Sequence, residues 1–366
     1  MNWQPVVREV HLLGGGRAFN GISSEVEIHP LTISKKILKI HLKDYHHLFH
    51  DINKSGLYVI GCDFFTTPES TNGYTPPQWR TKNKNNPIWL CAEEGDNWSF
   101  IAHSAFKQKN GLLCDIASRI SHQLRACEWR LRQLSESYAD QLKSRINSDT
   151  FKDNQRFFDE YTSLAYLSLQ SFLVDACVLR DYLAEFYSEV MLSEVINGKV
   201  NKVTTLSGLL KRWKISPPKN IVGKEILISA KPGQWLFELG SYRDLVVHTA
   251  PLATAGRTLC AVTRLFNLPH GEKLPGIKLP LPNNPTELKT ERSSGRYFDD
   301  PELNFARFQN IIDDVDNTKD SLEYAYSCMQ SLGKMAKSVS TLSPVKPEIP
   351  LITQNDVIGE IKIIKN

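Results

Sequence analysis

From Leu113 onward apolar residues recur in steps of three and four: Ile116, Ile120, Leu124, Cys127, Leu131, Leu134, Tyr138 and Leu142. That spacing is the stripe of one long amphipathic helix. A second runs from about Asn154 to Ile196. There Phe158, Ala165, Phe172, Leu179 and Phe186 share one line, with Leu169, Ala176, Leu183 and Val190 beside it. Helices of eight turns or more cover such stripes against each other, so an antiparallel pair about 40 Å long or longer is predicted.

The flanking sequence reads differently. In residues 1–107, Gly56–Cys62, Ile88–Cys91 and Trp98–Ala102 are short apolar or aromatic runs, and Thr66–Pro87 between the first two is rich in Pro, Asn, Thr and Gly. Short β-prone runs with polar punctuation predict strands in a small β-rich or α+β domain, its role unassigned. After the long helices, Leu206–Trp213 predicts a short helix that ends at Pro217-Pro218. A further helix starts near Pro232 with the stripe Trp235, Leu239, Tyr242, Val246, and Pro251 disturbs or ends it. Leu252–Phe266 reads as its continuation and residues 267–302 as a loop. Phe305–Ser338 is helical again through Phe308, Ile312, Val315, Leu322, Tyr326, Met329 and Leu332. The tail from 341 to 366 carries Pro344, Pro347 and Pro350, with an edge strand at Ile358–Ile364.

A chain of 366 residues has room for two domains of roughly 100–200 residues each. Its 41% hydrophobic and 23% charged residues are ordinary for a globular protein, and nothing in them demands disorder or a fibrous repeat. Seven widely spaced cysteines, an odd number with no C-x-x-C pair, suit reduced thiols better than a disulfide framework or zinc cage. Met1–Pro5 has no basic and apolar leader, and no run approaches the ~20 apolar residues of a membrane span. A cytoplasmic protein without a membrane partner is expected. The net charge of +4 does not by itself announce a nucleic-acid binder.

The late helix carries Ser241-Tyr242-Arg243-Asp244-Leu245-Val246-Val247-His248-Thr249-Ala250-Pro251. Arginine, a polar residue, a few mainly apolar residues, then histidine resembles the signature of the HEPN superfamily. These are helical bundles found in prokaryotic toxins, phage-defence proteins and CRISPR-associated ribonucleases. Arg243, Asp244 and His248 match the signature position by position, and the order of helices agrees over roughly Gly111–Ser338. Arg264–His270 satisfies the spacing too, but Leu265 follows the arginine where a polar residue is expected. The resemblance implies an α+β chain: a mainly α-helical HEPN-like bundle over 111–340 with a smaller β-containing N-terminal domain. It also implies an endoribonuclease acting as toxin or phage-defence effector, an antitoxin or defence-system partner, and a homodimer.

The chemistry follows from the residues as well. RNA carries its own nucleophile, the 2′-hydroxyl, beside the scissile phosphate. Histidine, with an ordinary pKa of about 6.5, moves protons near neutral pH. Arginine holds a permanent cationic fork against phosphate oxygens. No metal or cofactor is required, and Asp244, four residues before His248, shares its helical face and can orient the imidazole. Arg243 and His248 are five apart, about 140° around an undistorted helix. Either the helix deforms toward Pro251 or two protomers combine their motifs.

Supporting signals are weaker. Lys199, Lys202, Lys211, Arg212, Lys214, Lys219, Lys224 and Lys231 face one acid, Glu225. Lys211, Arg212, Trp213 and Lys214 in that strip could hold a phosphate backbone and stack a base. Asp175 in the second long helix is a candidate for a further polar group at the site. His46, His47 and His50 have helical spacing for a metal but lack a cysteine or glutamate partner, so no metal site is expected. No P-loop, dinucleotide fingerprint or Gly-x-Ser-x-Gly elbow occurs. The rival to cleavage is a non-catalytic HEPN-like module that binds RNA, a nucleotide or a partner protein.

Overall fold

Strand β1 (Val7–Leu12) alternates apolar and polar side chains, which places Val10 and Leu12 on one face of a sheet and Glu9 and His11 on the other. It pairs antiparallel with β2 (Arg17–Asn20) and with β5 (Val59–Phe65). β3 (Glu25–His29), β4 (Leu38–His41) and β6 (Gln78–Thr81) complete a six-stranded sheet in the order β4-β3-β2-β1-β5-β6. Val10, Leu12, Ala18, Val26, Ile28 and Cys62 bury one face with Leu48 and Ile52 of α1 (Leu48–Lys54). The computed structural model describes residues 7–20, 25–29, 38–44, 47–65, 78–85, 87–192, 202–249, 260–269, 271–283, 285–286, 290, 302 and 317–351.

The opposite face of the sheet meets a helical body built on α3 (Gly111–Asn147) and α4 (Glu160–Met191). At 1.5 Å per residue, α3 with its 37 residues spans about 55 Å. Asn110 caps it by accepting from the Leu113 amide at 3.1 Å. Asp159 and Thr162 form a capping box at the start of α4. The predicted stripes are the buried ones: Leu124, Leu131 and Leu134 of α3 and Leu169, Phe172 and Leu179 of α4 are all fully buried. α8 (Ser321–Ser340) lies against α4 and α2 (Leu90–Lys107). Its N-cap Asp320 accepts from the Leu322 and Glu323 amides, from the Tyr138 hydroxyl at 2.7 Å and from the Leu279 amide at 2.9 Å. One carboxylate thus joins α3, the 279–280 segment and α8.

The chain is therefore α+β, with eight α-helices among the described residues and only antiparallel sheets. Several local expectations are corrected. Ile88–Cys91 and Trp98–Ala102, read as strands, fall at or inside α2 (Leu90–Lys107). Leu90, Glu94, Trp98, Ile101 and Ala105 recur at helical spacing and are buried, with Trp98 edge-on to Phe186 of α4 at 4.6 Å. The aromatic residues that suggested β structure are core contacts of a helix, because packing overrides local preference. The helical continuation predicted up to Phe266 is β8 (Ala261–Asn267) where it is described. β8 pairs with β7 (Arg156–Phe157) and with β9 (Lys273–Lys278), inside the stretch read as a loop. β10 (Pro280–Leu281) pairs with β11 (Lys319–Asp320). α5 (Leu206–Ile215) matches the short helix predicted there, whereas α6 (Ile221–Ser229) was not anticipated. By length and composition alone α4 is apolar enough to cross a membrane, and half of its most apolar stretch is buried in the protein. Thr66–Pro77, Phe308, Ile312, Val315 and Ile358–Ile364 lie outside the described residues.

Two glycines set close approaches. A Cβ on Gly61 would lie 2.3 Å from the Trp79 ring, which covers this point of the sheet. Gly15, at φ +95°, brings the β1–β2 turn so near α3 that a Cβ would stand 2.6 Å from the Tyr138 carbonyl oxygen.

Glu128 of α3 is buried and accepts from the Thr81 amide of β6 at 3.0 Å, and burial pushes its carboxyl up to about 7. Below its ordinary value of 4.5 both folded and unfolded chains hold the proton. Above that, the unfolded chain ionises first, so this group makes stability fall as pH rises toward about 7. Glu128→Gln is expected to flatten the stability profile between about pH 5 and 7 in denaturant titrations.

Candidate functional site

Helix α7 (Trp235–Asp244) is anchored through Leu236, Leu239 and Tyr242, all buried, and the Tyr242 hydroxyl donates to the Pro282 carbonyl at 2.6 Å. Arg243 and Asp244 are its last two residues. About a third of each side chain is exposed, and Arg243 Nη1 donates to Asp244 Oδ1 at 3.0 Å. α7 then passes directly into a single π-helical turn, Leu245–Thr249, which contains the backbone of His248. The His248 side chain and Pro251 lie outside the described residues. A π-turn repeats at i→i+5 and often marks a functional site. The backbone here therefore leaves the α geometry that would hold positions 243 and 248 about 140° apart.

α4 supplies the wall behind this turn. Cys177 Sγ lies 3.9 Å from the Leu239 carbonyl. Burial pushes its thiol up to about 11, with Arg180 and Arg243 pulling it down and Asp181 and Asp244 pushing it up. Two positive and two negative side chains thus act on one buried thiol. Arg180 and Asp181 pair at 3.0 Å, and Asp181 also accepts from the Leu206 amide at 3.0 Å. Asp175, the polar candidate on this helix, turns instead to α3, where Arg130 at 2.7 Å and Gln123 at 3.1 Å hold it. Arg180 and Asp181, a turn further along, are the α4 residues nearer the motif.

The basic strip is brought together only in part. Leu206, Leu209 and Trp213 form the buried face of α5, and Trp213 is 2% exposed with its ring edge-on to Tyr187 at 5.2 Å. Trp213 is a core residue and is not available to stack a base, which corrects its assignment from sequence; its i, i+3, i+7 relation to Leu209 and Leu206 was the signal. Arg212 donates to the Leu192 carbonyl at 2.9 Å. Lys211 and Lys214 are exposed. Lys202 pairs with Glu185 at 3.6 Å, and Lys199 lies outside the described residues. Of the three histidines, His47 pairs with Asp44 at 2.8 Å, His50 is exposed and His46 is not described. Arg264 lies in β8 and donates to Asn154, and His270 lies outside the described residues.

A second polar assembly was missed. Where the sheet meets α3, register sets Glu9 opposite Asp63 and His11 opposite Arg17. Arg132 of α3 holds Asp63 in a two-pronged pair, Nε–Oδ1 2.9 Å and Nη2–Oδ2 2.7 Å. His11 is fully buried, with Nδ1 3.1 Å from Ser135 Oγ and Nε2 3.3 Å from Asp63 Oδ2. Ser135, His11 and Asp63 thus line up as a hydrolytic triad would, but Ser135 is fully buried and no substrate can reach its hydroxyl. Burial, then the Arg17 charge, pushes the His11 imidazole down to about 3, so it is neutral near pH 7. Beside this network opens a cleft of about 670 Å³ lined by Glu9, Arg17, Phe19, His29, Glu136 and Lys143, among others. The alternation Arg8-Glu9-Val10-His11-Leu12 was the available signal, because it gives one face of a half-buried strand to charged groups.

No family model, characterised protein or solved structure matches this chain.

Trp213→Ala is expected to destabilise the fold by about 3–5 kcal/mol, the usual cost of deleting a buried aromatic ring. Lys211→Ala and Lys214→Ala should leave the melting temperature nearly unchanged. Thermal melts of the three variants separate core from surface in this helix.

Proposed function

We propose that the end of α7 and its π-turn form the active site of a metal-independent endoribonuclease. The observation that supports this most is the π-turn itself. The motif helix departs from α geometry in the turn that follows the arginine and contains the histidine, the two residues whose five-residue spacing an α-helix cannot reconcile. Arg243, partly exposed, would bind the scissile phosphate and stabilise the charge that builds up on it. His248 would transfer the proton from the 2′-hydroxyl or to the leaving oxygen. Asp244, paired with Arg243, would act as a positioning residue for the guanidinium. Lys211 and Lys214 would add exposed positive charge for the RNA backbone. The resemblance of the motif to toxin and phage-defence ribonucleases suggests a cell-damaging effector, held in check by an antitoxin or defence-system partner.

His248→Ala and Arg243→Ala are each expected to lower cleavage by about 10²-fold or more with the fold intact. Asp244→Asn should lower it less. The products should end in a 2′,3′-cyclic phosphate or its hydrolysis product, a 2′-deoxy substitution at the cut should block the reaction, and chelation should leave the rate unchanged. Undiminished cleavage by folded His248→Ala protein would refute the assignment. RNA binding with no cleavage by the pure wild type would favour the non-cutting module.

If the deformed helix lets one chain present both groups, no partner is needed to complete the site; if it does not, the homodimer expected from the sequence supplies it. In the first case activity per chain should hold constant on dilution into the monomeric range, followed by light scattering and cleavage over the same concentration series. A fall in activity that tracks dissociation would restore a site shared between two copies.

A further inference from the structure

We propose that His11, Asp63 and Glu136, between the six-stranded sheet and α3, form a binding site for one divalent transition ion of the zinc type. One ligand atom from each lies within 4.8 Å of the others. His11 Nε2 stands 3.3 Å from Asp63 Oδ2 and 3.7 Å from Glu136 Oε1. It makes no hydrogen bond, although the residue is completely buried. A buried ring nitrogen aimed at two carboxylates without a hydrogen bond needs a reason. Bonds of about 2.0–2.2 Å in a tetrahedral zinc site put ligand atoms roughly 3.3–3.6 Å apart, close to the two spacings found here.

The surroundings are those of a supported site. Ser135 Oγ holds the other ring nitrogen of His11 at 3.1 Å, which orients the imidazole. The Arg132 guanidinium grips both oxygens of Asp63, Nε holding Oδ1 at 2.9 Å and Nη2 holding Oδ2 at 2.7 Å, so an ion on Oδ2 would take the place of the Nη2 contact while Nε still orients the carboxylate. Arg132 Nη2 lies 3.1 Å from Glu136 Oε1 and would give up part of that contact. The charges also agree. Glu9, Asp63 and Glu136 face Arg17 and Arg132, an excess of one negative charge, which a divalent ion carrying one hydroxide would cancel. His11 is neutral near pH 7, as a ligand must be. The Glu136 side chain is about one-third exposed and lines the cleft, which gives an ion its entry path and leaves its fourth position open. None of these residues lies on α7 or the π-turn, so this inference stands apart from the ribonuclease reading.

Calorimetric titration of the full chain with zinc sulfate tests it, together with the absorption spectrum of cobalt(II) at the same site. The expected result is one equivalent bound with micromolar affinity or better, an intense visible band typical of four-coordinate cobalt, and a melting temperature raised by about 5 °C at ion concentrations 100-fold above Kd. Glu136→Gln and His11→Gln should each weaken binding on the order of 10²-fold, while a His47→Ala/His50→Ala double variant should bind like wild type. Because Glu136 is partly exposed, its variant keeps the test valid if His11→Gln fails to fold. No binding at millimolar zinc, or unchanged affinity in folded Glu136→Gln, would overturn the proposal.

Discussion

Along the seam between α3 and α4, a buried cluster runs from Leu113 to Ile146 on one helix and from Ala165 to Tyr187 on the other. Each Leu, Ile or Phe buried there contributes about 1.5–3 kcal/mol relative to exposure. Among the described residues this is the most extensive contact between two elements, and the other parts pack around it. α2 and α8 cover one flank, α5 and α7 rest on α4, and the six-stranded sheet leans on the side of α3 that the seam leaves uncovered. Trp98 on Phe186 and Tyr138 on Asp320 extend the same core to α2 and α8.

The sheet docks on α3 through buried charge as well as through the apolar Ile60 and Trp79. Burying carboxylates and guanidiniums costs several kcal/mol per ion unless their hydrogen bonds are made. Asp63 and Arg132 meet that condition with two parallel contacts, and Arg17 adds bonds to Glu9 and to the Ser135 carbonyl. Such an interface has strict geometry, since a one-residue slip of β1 would turn Glu9 and His11 into the apolar layer under α1 and bring Val10 against Arg132. Its polar groups fix the register of sheet on helix. The same demand for satisfaction makes the bare Nε2 of His11 conspicuous.

At the other end of the body, α7 gives up regular α geometry immediately after two charged residues. A π-turn is a rare form and a cause of helix kinks, because its backbone bonds are less favourable than those of an α-helix. Here Leu245 and Val246 stay buried through the turn while Val247 is exposed, so the distortion is held by packing on the inner side. Cys177, Arg180 and Asp181 of α4 sit behind it and hold the end of α7 in place.

The long helices, their stripes and the short α5 were legible in the residues because a 3.6-residue repeat of apolar side chains is local information. The string Arg243-Asp244-x3-His248 is local information too, following the stripe Leu236, Leu239 and Tyr242 that buries its helix. Three things were not legible. The α2 segment carries aromatic residues that suit a strand or a helix core equally well, and only its packing on α3 and α4 decides between them. Trp213 looked like an aromatic in a basic surface strip, yet its neighbour in space is Tyr187, twenty-six positions earlier in the chain, and that contact buries it. His11, Asp63, Arg132 and Glu136 are spread over more than a hundred residues and form one cluster only through the β1–β5 register and the docking of α3. Sequence periodicity determines which side of an element faces inward; which distant partner it meets there, and whether a charge finds its counterpart, is settled only when the elements pack.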